Sequence, residues 1–407
     1  MKVGAAKPVQ RSSLALLQGG HALFPAMVEA MDAAQHSIWL ETYIFDFVGE
    51  PLDVAHALER AARRGLEVRV LVDGVGTPSV PEDWQRRWRE AGVQWRVYSP
   101  LGRMGLLLPS RWRRLHRKLC VVDLTWAFCG GINCLDDWRE LWGEVLHAPR
   151  LDYAVQVRGD PVEDIAQSMA RLWTRVIASE RVRHAELTAA WAAIRDNQVS
   201  WPQLPKRWLP RAATWDGVHA TFVQRDNLSH RAVIERAYLQ ALGQAKRSVV
   251  MAHAYFVPGR RLRRALRLAV ARGVTVQILL QGRYENFMQY HAARPVHHSL
   301  MRAGVELYEY TASAVHAKVA VVDGEWVTVG SSNLDPLSLL LAREANVVVR
   351  DKRVAQALSD QLHEAIAEHS QRVDGRVLAA RGWRERCLDW TAFGLMRAAL
   401  FFAGKRY

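Results

Sequence analysis

The stretch His116-Arg-Lys-Leu-Cys-Val-Val-Asp123 returns 200 positions later as His316-Ala-Lys-Val-Ala-Val-Val-Asp323. In each copy, a histidine and a lysine stand two residues apart at the start of a short run that is rich in β-branched residues, which predicts a strand. Side chains two residues apart on a strand point to the same face, so each pair can contact one ligand. The duplication predicts two related halves that contribute to one site.

The similarity between the two copies continues downstream of each strand. A turn and a second apolar run end in a small-residue corner, and an asparagine follows: Gly130, Gly131 and Asn133 in the first copy, Gly330, Ser331 and Asn333 in the second. This order predicts a β-hairpin in each half. Gly131 occupies the position of Ser331, so the two halves are not expected to be chemically equivalent.

Helix-like and strand-like segments alternate in the same order in both halves. Strands are predicted at Ser37–Phe45 and Glu67–Asp73, and again at Ser248–Phe256 and Val274–Leu280, with helix-like stretches before and between them. Short apolar strands that alternate with amphipathic helices indicate an α/β sheet covered on both faces. We therefore expect an α/β protein made of two repeats.

A chain of 407 residues exceeds the usual size of a single domain. We place the first half at 1–179, a connecting segment rich in Trp, Arg and Pro at 180–215, the second half at 216–374 and an amphipathic C-terminal tail at 375–407. The mixture of apolar residues and arginines over Trp383–Phe402 favours a helix in the plane of lipid headgroups, with packing against the protein's own core as an equal alternative. No signal peptide or membrane-spanning helix is expected.

The formal net charge is +14, and 47 of the 55 basic residues are arginines. Arginine forms bidentate contacts with phosphate, so a partner is expected among nucleic acids or anionic membranes, and charge alone does not distinguish them. The four cysteines lack the spacing of a zinc site, so we expect reduced thiols and no metal. One basic run beside an apolar triplet suits either lipid docking or a solvated loop: Arg103, Arg111, Arg113, Arg114 and Arg117, next to Leu106–Leu108.

The two copies, written H-x-K-x4-D-x6-G-[G/S]-x-N, resemble the phospholipase D superfamily. Within this superfamily, the sequence is similar to that of the bacterial class B cardiolipin synthases. The similar stretches include Leu40-Glu-Thr-Tyr-Ile-Phe45, Gly130-Gly-Ile-Asn133 and Gly330-Ser-Ser-Asn-Leu-Asp-Pro-Leu-Ser338. The resemblance implies two phospholipase D-like repeats, each a mostly buried β-sheet flanked by helices. It also implies one active site shared at the pseudo-two-fold interface.

The resemblance further implies transfer of a phosphatidyl group through a phosphohistidine, without cofactor or metal. His116 is expected as the nucleophile and His316 as the acid and base, with the reverse order left open. Asp152 and Glu344 are expected to orient the histidine of the opposite half. Further roles follow for the remaining motif residues: phosphate binding for Lys118, Lys318, Asn133, Asn333 and Ser331, and mainly structural support of the catalytic motifs for Asp123 and Asp323.

The implied substrate is phosphatidylglycerol, with phosphatidylethanolamine as an optional co-substrate, at the cytoplasmic face of a bacterial membrane to which the protein binds peripherally. A phospholipase D-type hydrolase is the alternative, because water and a lipid hydroxyl need the same base. A phosphodiesterase acting on nucleic acid is less favoured. Four residues near strand ends either line the site or are ordinary core residues: Glu41, Asp73, His253 and Tyr255. The sequence predicts no oligomeric state.

Overall fold

The computed structural model describes residues 12–101, 105, 112–140, 143, 145–183, 214–226, 230–283, 287–335, 342–376 and 382–402. Both His–Lys motifs lie within these ranges. The elements of the first half follow in chain order: β1 (Ser12–Gln18), α1 (Gly20–Asp32), β2 (Ser37–Thr42), α2 (Pro51–Arg63), β3 (Glu67–Asp73), α3 (Glu82–Ala91), β4 (Gln94–Tyr98), β5 (Arg114–Leu115), β6 (Lys118–Val122), β7 (Trp126–Gly130), β8 (Tyr153–Arg158) and α4 (Asp160–Arg183).

The second half repeats this order closely. Its elements are β9 (Thr214–Arg225), α5 (Val233–Gln244), β10 (Ser248–His253), α6 (Arg260–Ala271), β11 (Thr275–Gln281), α7 (Phe287–Met301), β12 (Glu306–Tyr310), β13 (Lys318–Val322), β14 (Trp326–Gly330), β15 (Ala342–Arg350), α8 (Lys352–His369), β16 (Ser370–Arg372) and α9 (Trp383–Phe402). The motif hairpins β6–β7 and β13–β14 are antiparallel, as the sequence predicts.

The strands form one hydrogen-bonded path across both halves, in the order β16-β12-β11-β10-β13-β14-β15-β9-β1-β8-β7-β6-β2-β3-β4. From β12 in one half and from β4 in the other, equivalent strands follow in the same order to the central pair β9 and β1. This symmetry is expected for two repeats related by a pseudo-two-fold axis. In each half, three parallel strands are connected by helices, and the motif hairpin adds antiparallel strands beside them.

Among the described residues, the core has three large clusters that follow the layers of the fold and a small fourth one around Leu115, Leu172 and Trp173. The central cluster joins apolar residues of both halves with one face of α4 and one face of α8, including Val155, Met169, Val347 and Leu358. The two outer clusters lie beneath α1–α3 in the first half and beneath α5–α7 with α9 in the second. Helices thus cover the sheets on both faces, which confirms the predicted fold class.

The predicted connection at 180–215 overlaps the last turn of α4 and the first residues of β9, and the rest of it lies outside the described residues. Helix α9 covers most of the predicted tail and packs on α7, with Ala392, Phe393 and Met396 buried. This face of the helix therefore packs against the protein's own core, as one of the two alternatives from the sequence expects. In the part of the chain that the structure describes, no helix is both long enough and apolar enough to cross a bilayer.

Candidate active site

Backbone hydrogen bonds between the halves place the two motif histidines. The amide of His116 donates to the carbonyl of Arg343, and the amide of His316 donates to the carbonyl of Leu151, at 3.0 and 2.9 Å. Each of these carbonyls belongs to the residue just before a predicted orienting carboxylate, Glu344 or Asp152. The interface thus holds each motif against the segment of the other half that carries an acidic side chain, within β15 for Glu344 and just before β8 for Asp152.

The carboxylates contact the histidines crosswise. His116 Nδ1 lies 3.1 and 3.2 Å from the two carboxylate oxygens of Glu344, and His316 Nδ1 lies 2.7 Å from Asp152 Oδ2. Both carboxylates are buried, whereas both imidazoles retain some exposure. The centroids of the two rings are 6.4 Å apart. Each Nδ1 is occupied by a carboxylate, which leaves the two Nε2 atoms available to a substrate between the halves.

Both lysines are buried beside the histidines. The Nζ of Lys118 donates to the carbonyl of His116 at 2.7 Å, and the Nζ of Lys318 donates to that of His316. Burial, together with the charge of Lys318, lowers the pKa of Lys118 to about 7. Placing an anion between the two ammonium groups would relieve this repulsion, so the site favours a negatively charged ligand such as phosphate.

The carboxylate behind His116 is held in its ionised form. Burial by itself would raise the pKa of Glu344, but contacts with His116, Lys118 and the Ser331 hydroxyl keep that pKa below its usual value. Ser331 Oγ donates to Glu344 Oε2 at 2.5 Å. The sequence predicts that this hydroxyl binds substrate, and in the structure it donates to the carboxylate of Glu344.

The first half has no equivalent hydroxyl, because Gly131 occupies that position. A Cβ built on Gly131 would lie closer than 3.0 Å to both carboxylate oxygens of Asp152, so only glycine leaves room for this side chain. Burial raises the pKa of Asp152 to about 7, although Lys318 opposes the effect. Burial and the two lysines also lower the pKa of His316 well below its usual value. The two His–carboxylate pairs therefore differ in the pKa of the carboxyl group, which is lowered at Glu344 and raised at Asp152.

The motif aspartates lie at the far ends of the motif strands and bind backbone amides. Asp123 accepts hydrogen bonds from the amides of Gln35, His36 and Ser37, and Asp323 does so from Lys246, Arg247 and Ser248. Both aspartates have positive φ, near 50°, at the hairpin turn. They fix the start of β2 and β10 against the hairpins.

The motif asparagines differ between the halves. Asn133 Oδ1 accepts from the amide of Ile44 at 3.3 Å. Asn333 is buried, and its Oδ1 has no hydrogen-bond partner within the described residues. Each lies three residues after the last residue of its motif hairpin.

Several residues near the motifs form structural contacts, and the sequence alone did not separate this role from a role in the site or in docking. Glu41 and Arg117 form a buried ion pair at 2.5 Å, so neither belongs to a basic docking surface or to the site. Asp73 accepts from the amide of Leu115 and from Arg114, which anchors β5 just before His116. Arg103, Arg111 and Leu106–Leu108 lie outside the described residues.

His253 is fully buried where β10 pairs with Lys318. Tyr43 was not singled out, yet its ring centroid lies 5.1 Å from that of His116, and Lys118 Nζ lies 5.5 Å from the Tyr43 ring centroid. The sequence signal that could have identified Tyr43 is its position within the stretch Leu40–Phe45, directly after β2. Among the described residues, no group of three or more His, Cys, Asp or Glu side chains is arranged to hold a metal ion.

Solved structures share this fold at low sequence identity. The crystal structure of phosphatidylserine synthase from Haemophilus influenzae Rd KW20 matches with a TM-score of 0.67 and 12% identity, covering 96% of this chain and 94% of that one. Polyphosphate kinase from Porphyromonas gingivalis matches with a TM-score of 0.54 and 12% identity, over 96% of this chain and 53% of that one. At these identities the likeness concerns the fold alone.

Sequence relatives are closer. A family profile described as "Cardiolipin synthase, PLD-like domain" matches residues 27–144 and 238–366, one segment in each half. Cardiolipin synthase B of Escherichia coli K12 is 37% identical over 95% of this chain and 88% of its own length. That of Salmonella typhi is 38% identical over the same shares. With two crosswise His–carboxylate pairs in a duplicated α/β fold, the chain belongs to the cardiolipin synthase family of phospholipase D-like enzymes.

Proposed function

We propose that the protein is a cardiolipin synthase, which moves a phosphatidyl group from one phospholipid to phosphatidylglycerol and releases glycerol when the donor is also phosphatidylglycerol. Phosphatidylethanolamine is included as a co-substrate. The observation that carries the proposal is the pair of histidines with Nδ1 atoms on opposite carboxylates and rings 6.4 Å apart, between two buried lysines. Related enzymes named cardiolipin synthase B support the same reaction.

In the first step, His116 acts as the nucleophile. The ionised Glu344 accepts a hydrogen bond from Nδ1–H of the neutral His116 ring, so the lone pair of Nε2 can attack the donor phosphorus. The bond from phosphorus to the leaving glycerol oxygen breaks as the N–P bond forms. The Asp152–His316 pair holds the proton, and His316 passes it to the departing oxygen.

In the second step, the same pair runs in reverse. His316 removes the proton from a hydroxyl of the acceptor phosphatidylglycerol, that oxygen attacks the phosphorus, and the N–P bond to His116 breaks. The difference between a Glu344 held ionised by Ser331 and an Asp152 with a pKa of about 7 supports this order of the histidines. Two groups with opposed proton preferences are what acid–base catalysis at one pH requires.

Four side chains bind the nonbridging phosphate oxygens in this proposal, those of Lys118, Lys318, Asn133 and Asn333. Negative charge on these oxygens grows as the phosphorus is attacked, and buried ammonium groups stabilise it strongly because water is excluded. Asp123 and Asp323 support the motif strands from a distance.

The lipid substrates place the protein at a membrane surface, and α9 is proposed to contribute to peripheral binding at the cytoplasmic face. The helix exposes Trp383, Leu388, Trp390 and Leu395 beside arginines, while its opposite side packs on α7. Apolar side chains flanked by positive charge suit an anionic lipid surface.

The test is mass spectrometry of the lipids formed when purified protein is incubated with phosphatidylglycerol vesicles in EDTA. We expect cardiolipin and free glycerol in about equal amounts from the wild type. His116→Ala and His316→Ala should each abolish both products, and cooperative thermal unfolding of each variant serves as the control for folding.

Other products would assign another function. Phosphatidic acid without cardiolipin would identify a hydrolase. A protein inactive on phosphatidylglycerol, with or without phosphatidylethanolamine, that cleaves a nucleic-acid phosphodiester would overturn the assignment to lipids.

A further inference from the structure

A buried ion pair lies directly behind the first motif. Arg117 stands between His116 and Lys118, and its guanidinium donates to both carboxylate oxygens of Glu41, at 2.5 and 2.9 Å. Glu41 pairs with Leu119 in the β2–β6 ladder. Side chains two residues apart on a strand share a face, so Arg117 points to the side of Glu41 and away from the flanking histidine and lysine. The motif therefore carries its site residues on one face and a buried charge pair on the other.

The same guanidinium reaches two further elements. Its Nη1 donates to Ser168 Oγ on α4 at 2.6 Å and to Gln224 Oε1 on β9 at 3.4 Å. Its Nη2 donates to the carbonyl of Ser168, and Ser168 Oγ in turn donates to Gln224 Oε1. Arg117 therefore joins β2, α4 and the second-half strand β9 through one planar group whose donors have a fixed geometry.

Gln224 connects this network to the carboxylate behind His116. On β9 it pairs with Ala345 of β15, the residue next to Glu344. The His116 ring contacts the Glu344 carboxylate at 3.1 and 3.2 Å. Because Arg117 is the next residue of the chain after His116, holding its guanidinium against β9 also holds the distance between His116 and β15.

The second half closes the same place with two alanines. Ala317 stands between the second histidine and lysine, where the first motif has Arg117. Ala252 pairs with Val319, and this register equates it with Glu41. Both alanines are fully buried in the central apolar cluster. The repeat therefore also folds with small apolar side chains at these two positions.

Stability alone does not explain a charged pair at this place. Taking two charges out of water costs free energy that their attraction only partly returns, and apolar replacements of buried ion pairs are often neutral or stabilising. A buried ion pair can instead fix one arrangement of the elements that it joins.

Of the two motifs, the one with the assigned nucleophile has the pair. A nucleophile must be aligned closely with the phosphorus that it attacks, and small displacements cost much of the rate. The acid–base histidine serves two different oxygens in the two steps, so it has less need of one fixed position. The asymmetry of the network thus follows the asymmetry of the proposed roles.

We propose that the Glu41–Arg117 pair positions the nucleophile His116 beside its carboxylate partner across the interface. The inference rests on the proposed function and adds to it a positioning role for residues outside the site. The bonds to α4 and β9 hold the guanidinium in place, and the pair acts on the reaction only through His116. Loss of the network should slow attack on the phosphorus with little effect on how tightly the lipid binds.

The main variant replaces both charges together. Glu41→Leu with Arg117→Met nearly conserves volume and leaves no unpaired charge, so the protein should fold, which thermal unfolding checks. On phosphatidylglycerol vesicles, we expect kcat for glycerol release to fall between about tenfold and hundredfold, with KM within about twofold. Glycerol release reports the first step whether lipid or water accepts the phosphatidyl group.

The pH profile separates positioning from a general loss of structure. Burial raises the pKa of Glu344, and contact with His116 is the largest effect that lowers it. If His116 moves away, that pKa rises, so the acidic limb of the kcat/KM profile should move to higher pH. A variant that is only less stable would keep the wild-type profile.

Gln224→Met tests the link across the interface without removing either charge. It deletes the acceptor on β9 and leaves the bonds between Glu41 and Arg117 in place. We expect kcat to fall about threefold or more, as for the loss of one hydrogen bond, with the same direction of change in the pH profile. This half-buried position also gives a result if the double variant does not fold.

The matched control removes another ion pair of the first half. Glu59 on α2 contacts Arg87 on α3 at 2.6 Å, and neither residue belongs to a motif strand. Glu59→Leu with Arg87→Met should keep the wild-type kcat and pH profile.

A wild-type kcat and pH profile in the folded Glu41→Leu, Arg117→Met protein would overturn the positioning role. If that protein does not fold, the same result in Gln224→Met overturns it. A raised KM at unchanged kcat, or an equal fall of kcat in the control, would also overturn it. A wild type that releases no glycerol from phosphatidylglycerol would instead contradict the proposed function.

Discussion

At the scale of single residues, the two halves differ where the carboxylates are held. Ser331 donates to Glu344, whereas Gly131 makes room for Asp152. Replacing Ser331 with Ala removes one donor from an ionised buried carboxylate, an interaction worth about 1.5–3 kcal/mol. We expect kcat to fall at least about tenfold and the acidic limb of the pH–rate profile to move to higher pH, because the pKa of Glu344 rises without the hydroxyl.

The neighbouring Ser332 provides the control for this prediction. It is equally buried, and its hydroxyl has no hydrogen-bond partner within the described residues. Ser332→Ala should keep the wild-type pH profile, and Ser331→Thr should keep most of the activity because the hydroxyl remains. A pH profile of Ser331→Ala identical to that of the wild type would contradict the role given to this hydroxyl.

His253 makes a second residue-scale prediction, which concerns stability. Burial and the charge of Lys318 lower the pKa of His253 to about 3 in the folded protein, whereas an unfolded histidine titrates near 6.5. Between these values the unfolded state binds more protons, so the stabilising contribution is complete above pH 6.5 and is lost as the pH falls toward 3. From pH 7 to pH 5 the loss from this residue is about 2 kcal/mol.

His253→Phe removes that proton-binding difference. Chemical denaturation at pH 5 and pH 7 should show a free energy of unfolding that falls by about 2 kcal/mol less in the variant than in the wild type. Comparing the two pH values cancels any constant packing cost of the larger ring. An equal fall in both proteins would mean that the native state protonates His253 or exposes it.

At the scale of elements, the sequence predicted the order of strands and helices well but extended two strands too far. Residues 43–45 and 254–256 continue the apolar pattern of β2 and β10, yet they leave the sheet after Thr42 and His253. Periodicity reports which face is buried and not where the partner strand ends. In the structure, each of these segments carries on to make an isolated bridge, Phe45 with Cys134 and Phe256 with Leu334.

Helix α9 was predicted with two alternative environments, because a sequence pattern of apolar residues and arginines fits both. The structure buries Phe393 and Met396 on α7 and leaves Trp390 and Leu395 more than half exposed. Replacing Trp390 and Leu395 with Ser should weaken binding to phosphatidylglycerol vesicles by about 2 kcal/mol or more, which is over tenfold, with little change in the melting temperature. Vesicle co-sedimentation and thermal unfolding measure the two effects.

Phe393→Ser is the matched control on the buried side of the same helix. It should lower the melting temperature, because a ring packed against α7 is lost. If the exposed pair lowers stability and leaves vesicle binding unchanged, α9 is a structural helix and membrane attachment resides elsewhere.

At the scale of the whole molecule, the duplicated motif was enough to predict two halves with one shared site. The pairing of Glu344 with His116 and of Asp152 with His316 followed from family resemblance, and it requires contacts 228 and 164 residues apart along the chain. No comparable signal in the sequence points to the Glu41–Arg117 ion pair. Its two side chains meet only after the first half folds, and their spacing follows no periodic pattern.

The crosswise contacts lead to a prediction about assembly. In the structure, both histidines, both lysines and both carboxylates come from one chain, joined by β1 and β9 across the centre of the sheet. The His116→Ala protein and the His316→Ala protein therefore each have a single site that lacks one histidine. Mixing the two variants should restore no cardiolipin synthesis. Wild type mixed with an equal amount of His316→Ala, which should give half of the specific activity, serves as the reference. Activity regained in the mixture would mean that each site is built from halves of two different chains, because only such an exchange can unite an intact His116 with an intact His316.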